Sequence, residues 1–558
     1  MPTAARSFAL PLVLTVAVLV GPILADVLHG GERRLFGYAA ADTFYYLVVG
    51  RNVGLEGLIA SDGEHPSNGF HPLWQAVVSL VYALRLPGHG THFDLAWLLT
   101  FELLLLVASV WFVARAFRRP DGSLTSFLPL LVPGVFGLLV APVWLSVPVA
   151  TIAAQNSEEG PLPLYGTWWS FANGMESSLS VGAFCLLLWL WVDRPLEDRR
   201  AATRFGLSLA VLMLSRLDLV FVAGAVWALA VLRLPTVRAR LALTFAAASP
   251  VAAYLLFSKW YFGAAMPVSG SLKSTVPYVN AANFTTVWDV YNTLLSGGVQ
   301  SIPAFFRVSQ LVVPALAVVL TPALLLSFKR NDEGVVVTWG GPALRASFFA
   351  ASGVGVALLL GYDFFFVPLF SQGHWYVPVP ELFVSLLALH ALERLAERVP
   401  ERFASSLKWG ALVGVPALGL AFFLRLHHQP DYHARYASFW FDEAPAIRAH
   451  LPPDARLLEY DDGIVSWATQ RHAMSGTGLG LDVEGAEASK AGLLAQLAVK
   501  RGYDHVTSLV YWGFGGVDSE EGLQRWVDEH FKGLGLRGRV AYRSKVHDWS
   551  IVQLLPPR

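Results

Sequence analysis

The chain has 558 residues, 54% of them hydrophobic and only 15% charged, with 41 Lys and Arg against 41 Asp and Glu. A mean hydropathy of +0.49 is too apolar for a soluble protein of this length, and a formal charge of zero leaves no footprint for nucleic acid. The single cysteine, Cys185, lies in the apolar run FCLLLWLW, which excludes an intramolecular disulfide framework and a cysteine metal site.

The apolar residues gather in runs of about 18–25, the length that crosses a bilayer. The fold class is therefore an α-helical polytopic membrane protein. Eleven spans are predicted, at 7–28, 93–115, 126–147, 176–193, 203–215, 217–233, 239–258, 305–328, 343–361, 376–394 and 405–425. The first is read as a retained helix rather than a signal peptide, since no small-residue cleavage site is followed by a soluble domain. Basic residues set the orientation. Arg115, Arg118 and Arg119 follow span 2, Arg194, Arg199 and Arg200 span 4, and Arg233, Arg238 and Arg240 span 6. Lys329 and Arg330 follow span 8, and Arg394, Arg398 and Arg402 span 10. All fall on one side if Met1 is cytoplasmic. Loop 148–175, with Glu158 and Glu159 and no basic residue, falls on the other.

That rule leaves His71–Leu86 outside as a juxtamembrane helix, because it is shorter than the ~20 residues of a span. Trp74 and Tyr82 are expected at headgroup level. Residues 29–92 then form one large external loop. Spans 5 and 6 meet at Ser215–Asp218 (SRLD) as a hairpin whose tip reaches the outer side.

After His427 the long apolar runs stop. Strands are predicted at Arg456–Tyr460, His472–Ser475, His505–Val510, Val540–Arg543 and Ser550–Leu554. Helices are predicted at Ala488–Arg501 and Ser519–Phe531, the second capped by Ser519 with Glu520 and Glu521 behind it. The chain thus divides into a transmembrane domain, 1–427, and a small extracytoplasmic α/β domain, 428–558.

Within the first loop, ADTFYYLVVGRNVGLEGLIASDGEHPSNGFHPLW (Ala41–Trp74) carries Asp42, Arg51, Asp62, Glu64, His65, Asn68 and His71. A passive connector has no need for such a density of acids, imidazoles and amides, and the loop reads as a reaction site that uses a carboxylate. DTFYYLVVGRNVGLEG followed by SNGFHPLW resembles bacterial members of the GT-C superfamily. These are multispan glycosyltransferases that use polyprenyl-phosphate-linked sugars, such as the family-39-like and RgtA/B/C/D-like enzymes. NGMESSL (Asn173–Leu179), LSRLDLVF (Leu214–Phe221), YFGAAMPVSGSLKS (Tyr261–Ser274) and WYVPVPELF (Trp375–Phe383) follow in order. YDDGIVSWATQRHAMSGTGLGLD (Tyr460–Asp482) looks like the start of the family's outer domain.

The resemblance implies transfer of a hexose or pentose from a polyprenyl-phosphate sugar donor to a glycan, lipid or protein acceptor outside the bacterial cytoplasmic (inner) membrane. Membrane lipid is a further partner, and nucleic acid is not. The family loop begins with two adjacent acids, whereas here the pair is Ala41–Asp42. If relatives share a divalent metal between the two, this chain has one ligand fewer, so a lone carboxylate is favoured and no metal ligand is assigned.

Such a transfer needs a base for the acceptor hydroxyl and donors for the departing phosphate. Asp42 is the candidate catalytic base, with a helix N-cap as its structural alternative. Asp62 and Glu64 are read as exposed turn residues. His65, Asn68 and His71 are read as substrate hydrogen-bonding groups; their spacing is also compatible with a metal, and Asn68-Gly69 with a turn. Glu176 opens span 4, where a helix dipole alone would favour it. Arg216 is a phosphate ligand or a structural partner of Asp218. Lys273 is a cation for the lipid phosphate or a surface lysine, and Lys259 snorkels. His374, Trp375 and Tyr376 form an aromatic wall for the sugar or an interfacial belt. Two other functions compete: a lipid-linked-solute transporter or flippase, which would place charges within spans, and a catalytically inactive binding or assembly protein. The ionisable residues are expected at span ends.

Overall fold

A computed structural model of the chain describes residues 2–119, 122–131, 171–193, 196, 198–295, 315, 318, 319, 321, 341–368, 374–418, 420–421, 434–460, 463–476, 478–507, 519–544 and 549–557. Among these, four helices are long and apolar enough to cross a bilayer: Leu10–His29, Phe93–Ala116, Val237–Phe262 and Ala343–Phe366. The protein is a multi-pass membrane protein. Further helices at Ser177–Asp193, Arg199–Ser215, Val220–Arg233 and Pro378–Ala396 occupy the positions of predicted spans 4, 5, 6 and 10. Predicted spans 126–147 and 305–328 and the end of 405–425 lie largely outside the described residues.

The chain forms two compact units. The first comprises Met1–Gly31, Leu99–Ala253 and Thr275–Tyr432. Its helices approach closely where a side chain is missing, as expected when packing rather than hydrophobic transfer holds helices together. A Cβ on Gly355 would lie 2.5 Å from Val222 Cα, and one on Gly206 2.5 Å from the Leu243 carbonyl oxygen. Buried Arg345 pairs with Glu393 (2.9 Å) and donates to the Ala116 carbonyl (3.1 Å), while its guanidinium stacks on Phe117. The expectation that ionisable groups sit only at span ends is corrected here. Glu102 lies within the Phe93–Ala116 helix, fully buried, because its Oε2 accepts the backbone N–H of Gly174 (2.7 Å).

The second unit joins Glu32–Leu98, Tyr254–Ser274 and His433–Arg558. It contains a five-stranded sheet of order β2-β1-β3-β5-β4, from β1 (Arg456–Glu459), β2 (His472–Ser475), β3 (His505–Thr507), β4 (Arg537–Arg543) and β5 (Ser550–Leu555). β1 pairs in parallel with β2 and β3, while β5 runs antiparallel to β3 and β4. The β1–β2 crossover carries the Ile464–Thr469 helix, as a parallel pair requires. The Glu520–His530 helix starts as predicted, with Ser519 accepting the Gly522 N–H. The predicted Ala488–Arg501 helix is corrected to two, Val483–Lys490 and Leu494–Lys500. Gly492 takes φ +70 between them, a left-handed conformation that ends a helix. Residues 508–510 of the third predicted strand lie outside the described residues.

The first loop shares its core with this sheet region. Phe36, Phe44, Tyr436, Trp440 and Trp467 form one aromatic cluster, with Trp440 and Trp467 ring centroids 4.2 Å apart and Phe44 and Trp467 5.4 Å apart. Within the loop, the Pro72–Ala83 helix packs on the Ala41–Glu56 helix. Gly50 and Gly54, one turn apart, admit it: added Cβ atoms would fall 2.7 Å from Val78 and 2.6 Å from Tyr82. This corrects the headgroup placement of Trp74 and Tyr82. Both are fully buried in protein, and the Tyr82 hydroxyl accepts the Trp467 indole N–H (2.9 Å).

Candidate functional site

Five predicted site residues lie in the second unit: Asp42, His65, Asn68, His71 and Lys273. Asp42 occupies the first turn of the Ala41–Glu56 helix and is buried. Its reading as an N-cap is corrected. Ala40 is the extended residue before the helix, and Asp42 is already helical, at the end of the dipole where negative charge is favoured. The first turn of this helix is pressed by the glycine of the YDDG motif. Gly463 has φ +95, and a Cβ there would lie 2.6 Å from Tyr45 N. Only glycine meets both demands. Asp461 and Asp462 lie outside the described residues.

Asp62 is no exposed turn residue, which corrects that expectation. It is 4% exposed because its carboxylate organises the loop. Oδ1 accepts the N–H groups of Glu64 (2.9 Å) and His65 (2.7 Å), and Oδ2 binds His65 Nδ1 (2.7 Å) and the Tyr503 hydroxyl (2.7 Å). Burial alone would raise its pKa. The hydrogen bonds from His65, Tyr503 and Glu64 outweigh burial and hold the carboxyl below its ordinary range. Glu64, half exposed, pairs with Arg456. His65 is thus oriented by Asp62.

Asn68 is a staple. Its Nδ2 donates to Ser258 Oγ (3.0 Å) and the carbonyls of Met266 (3.2 Å) and Ala264 (3.3 Å), and its Oδ1 accepts the Val268 N–H (3.2 Å). That occupies the amide's donors, so its contribution is to hold the loop against the Tyr254–Ser274 segment. The neighbouring Gly69 meets the GTGLGLD segment, where a Cβ would come 1.8 Å from the Leu479 carbonyl oxygen. His71 precedes the Pro72–Ala83 helix, and its N–H is accepted by the Tyr46 hydroxyl (3.1 Å). Lys273 ends a short helix, Val268–Lys273. Lys259 donates to the Gly263 carbonyl (2.7 Å), closing the end of its own helix.

A third carboxylate, Glu459 on β1, accepts the N–H groups of Val465 (2.7 Å) and Ser466 (3.0 Å). Here burial wins over the hydrogen bonds and pushes its pKa up to about 7. Glu459 lines a small cavity with Tyr45, Ser61 and Ser475.

In the first unit, Glu176, Arg216, Asp218, Trp375 and Tyr376 come together. Arg216 is the extended residue between the Arg199–Ser215 helix and the Leu217–Leu219 turn, as the SRLD hairpin predicts. Its Nε reaches both Asp218 oxygens (3.0 Å each), and its Nη1 reaches Glu176 Oε1 (3.1 Å) and the Trp375 carbonyl. The guanidinium lies over the Tyr376 ring, 4.3 Å from its centroid. Two carboxylates on one guanidinium leave no surplus positive charge, so Arg216 here organises acids. His374 belongs to the His374–Tyr376 turn; its side chain lies outside the described ones.

Sequence reasoning missed Glu102, Asn52 and Tyr503. An acid inside the apolar run FELLLL was the available signal for Glu102. Asn52, which donates to the Ala60 carbonyl (2.8 Å), and Tyr503 had none, because their partners are set by the fold. Ala41 and Asp42 supply one carboxylate to the first turn of the Ala41–Glu56 helix. Among the described residues no three His, Cys, Asp or Glu side chains converge on a point.

No family model and no curated protein sequence matches the chain. Among solved structures, ArnT from Cupriavidus metallidurans bound to undecaprenyl phosphate matches over 97% of this chain and 97% of its own, with a TM-score of 0.54 and 14% identity. The likeness is one of fold. Another neighbour is the Archaeoglobus fulgidus oligosaccharyltransferase in complex with Zn and sulfate. It matches 88% of this chain and 67% of its own, at 11% identity and a TM-score of 0.44.

Proposed function

We propose that the chain is a membrane glycosyltransferase that moves a hexose or pentose from a polyprenyl-phosphate donor to an acceptor outside the inner membrane. The observation that carries this reading is a GT-C fold in which a buried carboxylate, Asp42, opens the helix of the first loop. Asp42 takes the proton of the acceptor hydroxyl, whose oxygen attacks the anomeric carbon. The bond from that carbon to the phosphate oxygen breaks in the same displacement, so the configuration inverts. Lys273 stabilises the polyprenyl phosphate that leaves. His65, His71 and the loop held by Asn68 position the substrates. Glu176, Arg216 and Asp218 organise the hairpin tip, beside an aromatic wall of His374, Trp375 and Tyr376.

The topology that goes with this reading has eleven spans, a cytoplasmic N-terminus and an extracytoplasmic 428–558 domain, with 1–427 as the transmembrane domain. The acceptor is a lipid, glycan or protein. Glu102, a buried acid within a span, supports a second reading as a lipid-linked-solute transporter or flippase. Ala41 in place of an acid supports a third, an inactive binding or assembly protein. The test is purified protein in liposomes with labelled polyprenyl-phosphate sugar. Transfer or hydrolysis of the label supports the enzyme, relocation of intact donor supports the transporter, and neither supports the assembly protein.

A further inference from the structure

No helix is predicted between the spans at 239–258 and 305–328, yet Ala281–Leu295 forms one of 15 residues. Its start is tied to the end of the membrane-crossing Gly341–Phe366 helix. Asn283 Nδ2 donates to the carbonyls of Phe364 (2.7 Å) and Val367 (2.8 Å). The N–H groups of Asn280 and Thr275 reach the carbonyls of Phe365 and Phe366 (2.8 Å each). These are the carbonyls that a helix C-terminus leaves without partners, so the tether fixes the short helix at the depth where a spanning helix leaves the bilayer.

The tethered segment is nevertheless apolar on its surface. Tyr278 is 78% exposed, Trp288 62%, Val279 54% and Phe284 48%. Phe284 and Trp288, four residues apart, share one helix face, and the Phe284 ring packs on Phe364 at 5.0 Å. Asp289, also exposed, is turned about 100° from Trp288 at 3.6 residues per turn. Aromatic residues on one face and a charge on another are the pattern of a helix lying in the membrane interface. The helix Ala281–Leu295 itself contains no Lys or Arg, so its own side chains offer anionic headgroups no charge attraction.

We propose that the Ala281–Leu295 helix lies in the membrane interface, with Phe284 and Trp288 seated at the headgroup–acyl boundary and Asp289 in water, bound by apolar burial without selection for anionic lipid. The inference is independent of the glycosyltransferase reading. The test uses the full chain in a Cys185→Ala background, with Trp288→Cys or Asp289→Cys labelled by an environment-sensitive fluorophore. The protein is reconstituted into phosphatidylcholine vesicles. The label at 288 is expected to be blue-shifted, quenched several-fold more by a shallow nitroxide lipid than the label at 289, and several-fold less by aqueous iodide. Adding phosphatidylglycerol leaves this difference unchanged. Equal iodide access at the two positions overturns the proposal. So does shielding of position 288 from both quenchers, which would mean protein covers it, and so does a contrast that appears only with phosphatidylglycerol.

Discussion

Asp62, beside predicted site residue His65, and Glu176, itself a predicted site residue, are both buried carboxylates, but they are held by different means. Asp62 receives two backbone N–H groups, an imidazole and a phenol. Glu176 faces a guanidinium that it shares with Asp218. The first arrangement spreads one charge over several donors, so losing any one of them removes a fraction of the stabilisation. In the second, one guanidinium bridges two acids, so its loss takes a cation from both. The loop network is therefore robust, whereas the hairpin tip relies on a guanidinium that bridges two acids.

The largest effect is expected at that guanidinium. Arg216→Met should destabilise the protein by about 3–5 kcal/mol, the penalty of uncompensated buried charge, while the triple variant Arg216→Met, Glu176→Gln, Asp218→Asn recovers most of it. Thermal unfolding in detergent measures both. A single variant as stable as wild type would erase the contrast between the two regions.

Glu459 sharpens the comparison from the other side, because its hydrogen-bond donors do not outweigh burial. Its pKa is raised from 4.5 to about 7, so the fold favours the protonated form. That contribution is complete below about pH 4.5 and is lost as pH rises through 7, amounting to on the order of 3 kcal/mol. Unfolding midpoints at pH 4.5 and pH 8 should differ less for Glu459→Gln than for wild type. Asp62 has the opposite sign, since its depressed pKa makes its contribution fade as pH falls below the ordinary carboxylate range.

Smaller effects follow from close approaches and from single contacts. Gly69→Ala places a methyl against the Leu479 carbonyl and should cost about 1–3 kcal/mol by overpacking; an unchanged midpoint would show that the loop and the GTGLGLD segment part easily. Lys273→Ala should raise the apparent Michaelis constant for the polyprenyl-phosphate donor about tenfold, in keeping with the ~1.5–3 kcal/mol of a hydrogen bond to a charged group. Michaelis constants measured with varied donor decide it, and an unchanged value removes Lys273 from the phosphate site.

What could be read from the sequence was local. β2 falls at His472–Ser475 as predicted, the Glu520–His530 helix takes its Ser519 cap, and the SRLD hairpin places Arg216 beside Asp218, because each signal lies within a few residues. The site's construction was not local. Ser61 Oγ donates to the Gly480 carbonyl across 419 residues of sequence, and Gly69 and Gly463 earn their places only through backbone that arrives from the far end of the chain. Trp74 and Tyr82 were misplaced for the same reason. An aromatic residue on a short apolar helix looks interfacial until the partner helix it packs on, which admits Tyr82 at Gly54, is known.

The central claim is that Asp42 is the base of a sugar transfer. The most direct measurement compares the transfer rate of wild type and Asp42→Asn in the same liposomes, with labelled polyprenyl-phosphate sugar and matched unfolding midpoints. The account predicts a loss of about 10²–10⁴-fold, the contribution of a positioned base, without loss of fold. An Asp42→Asn protein that transfers sugar at the wild-type rate contradicts it.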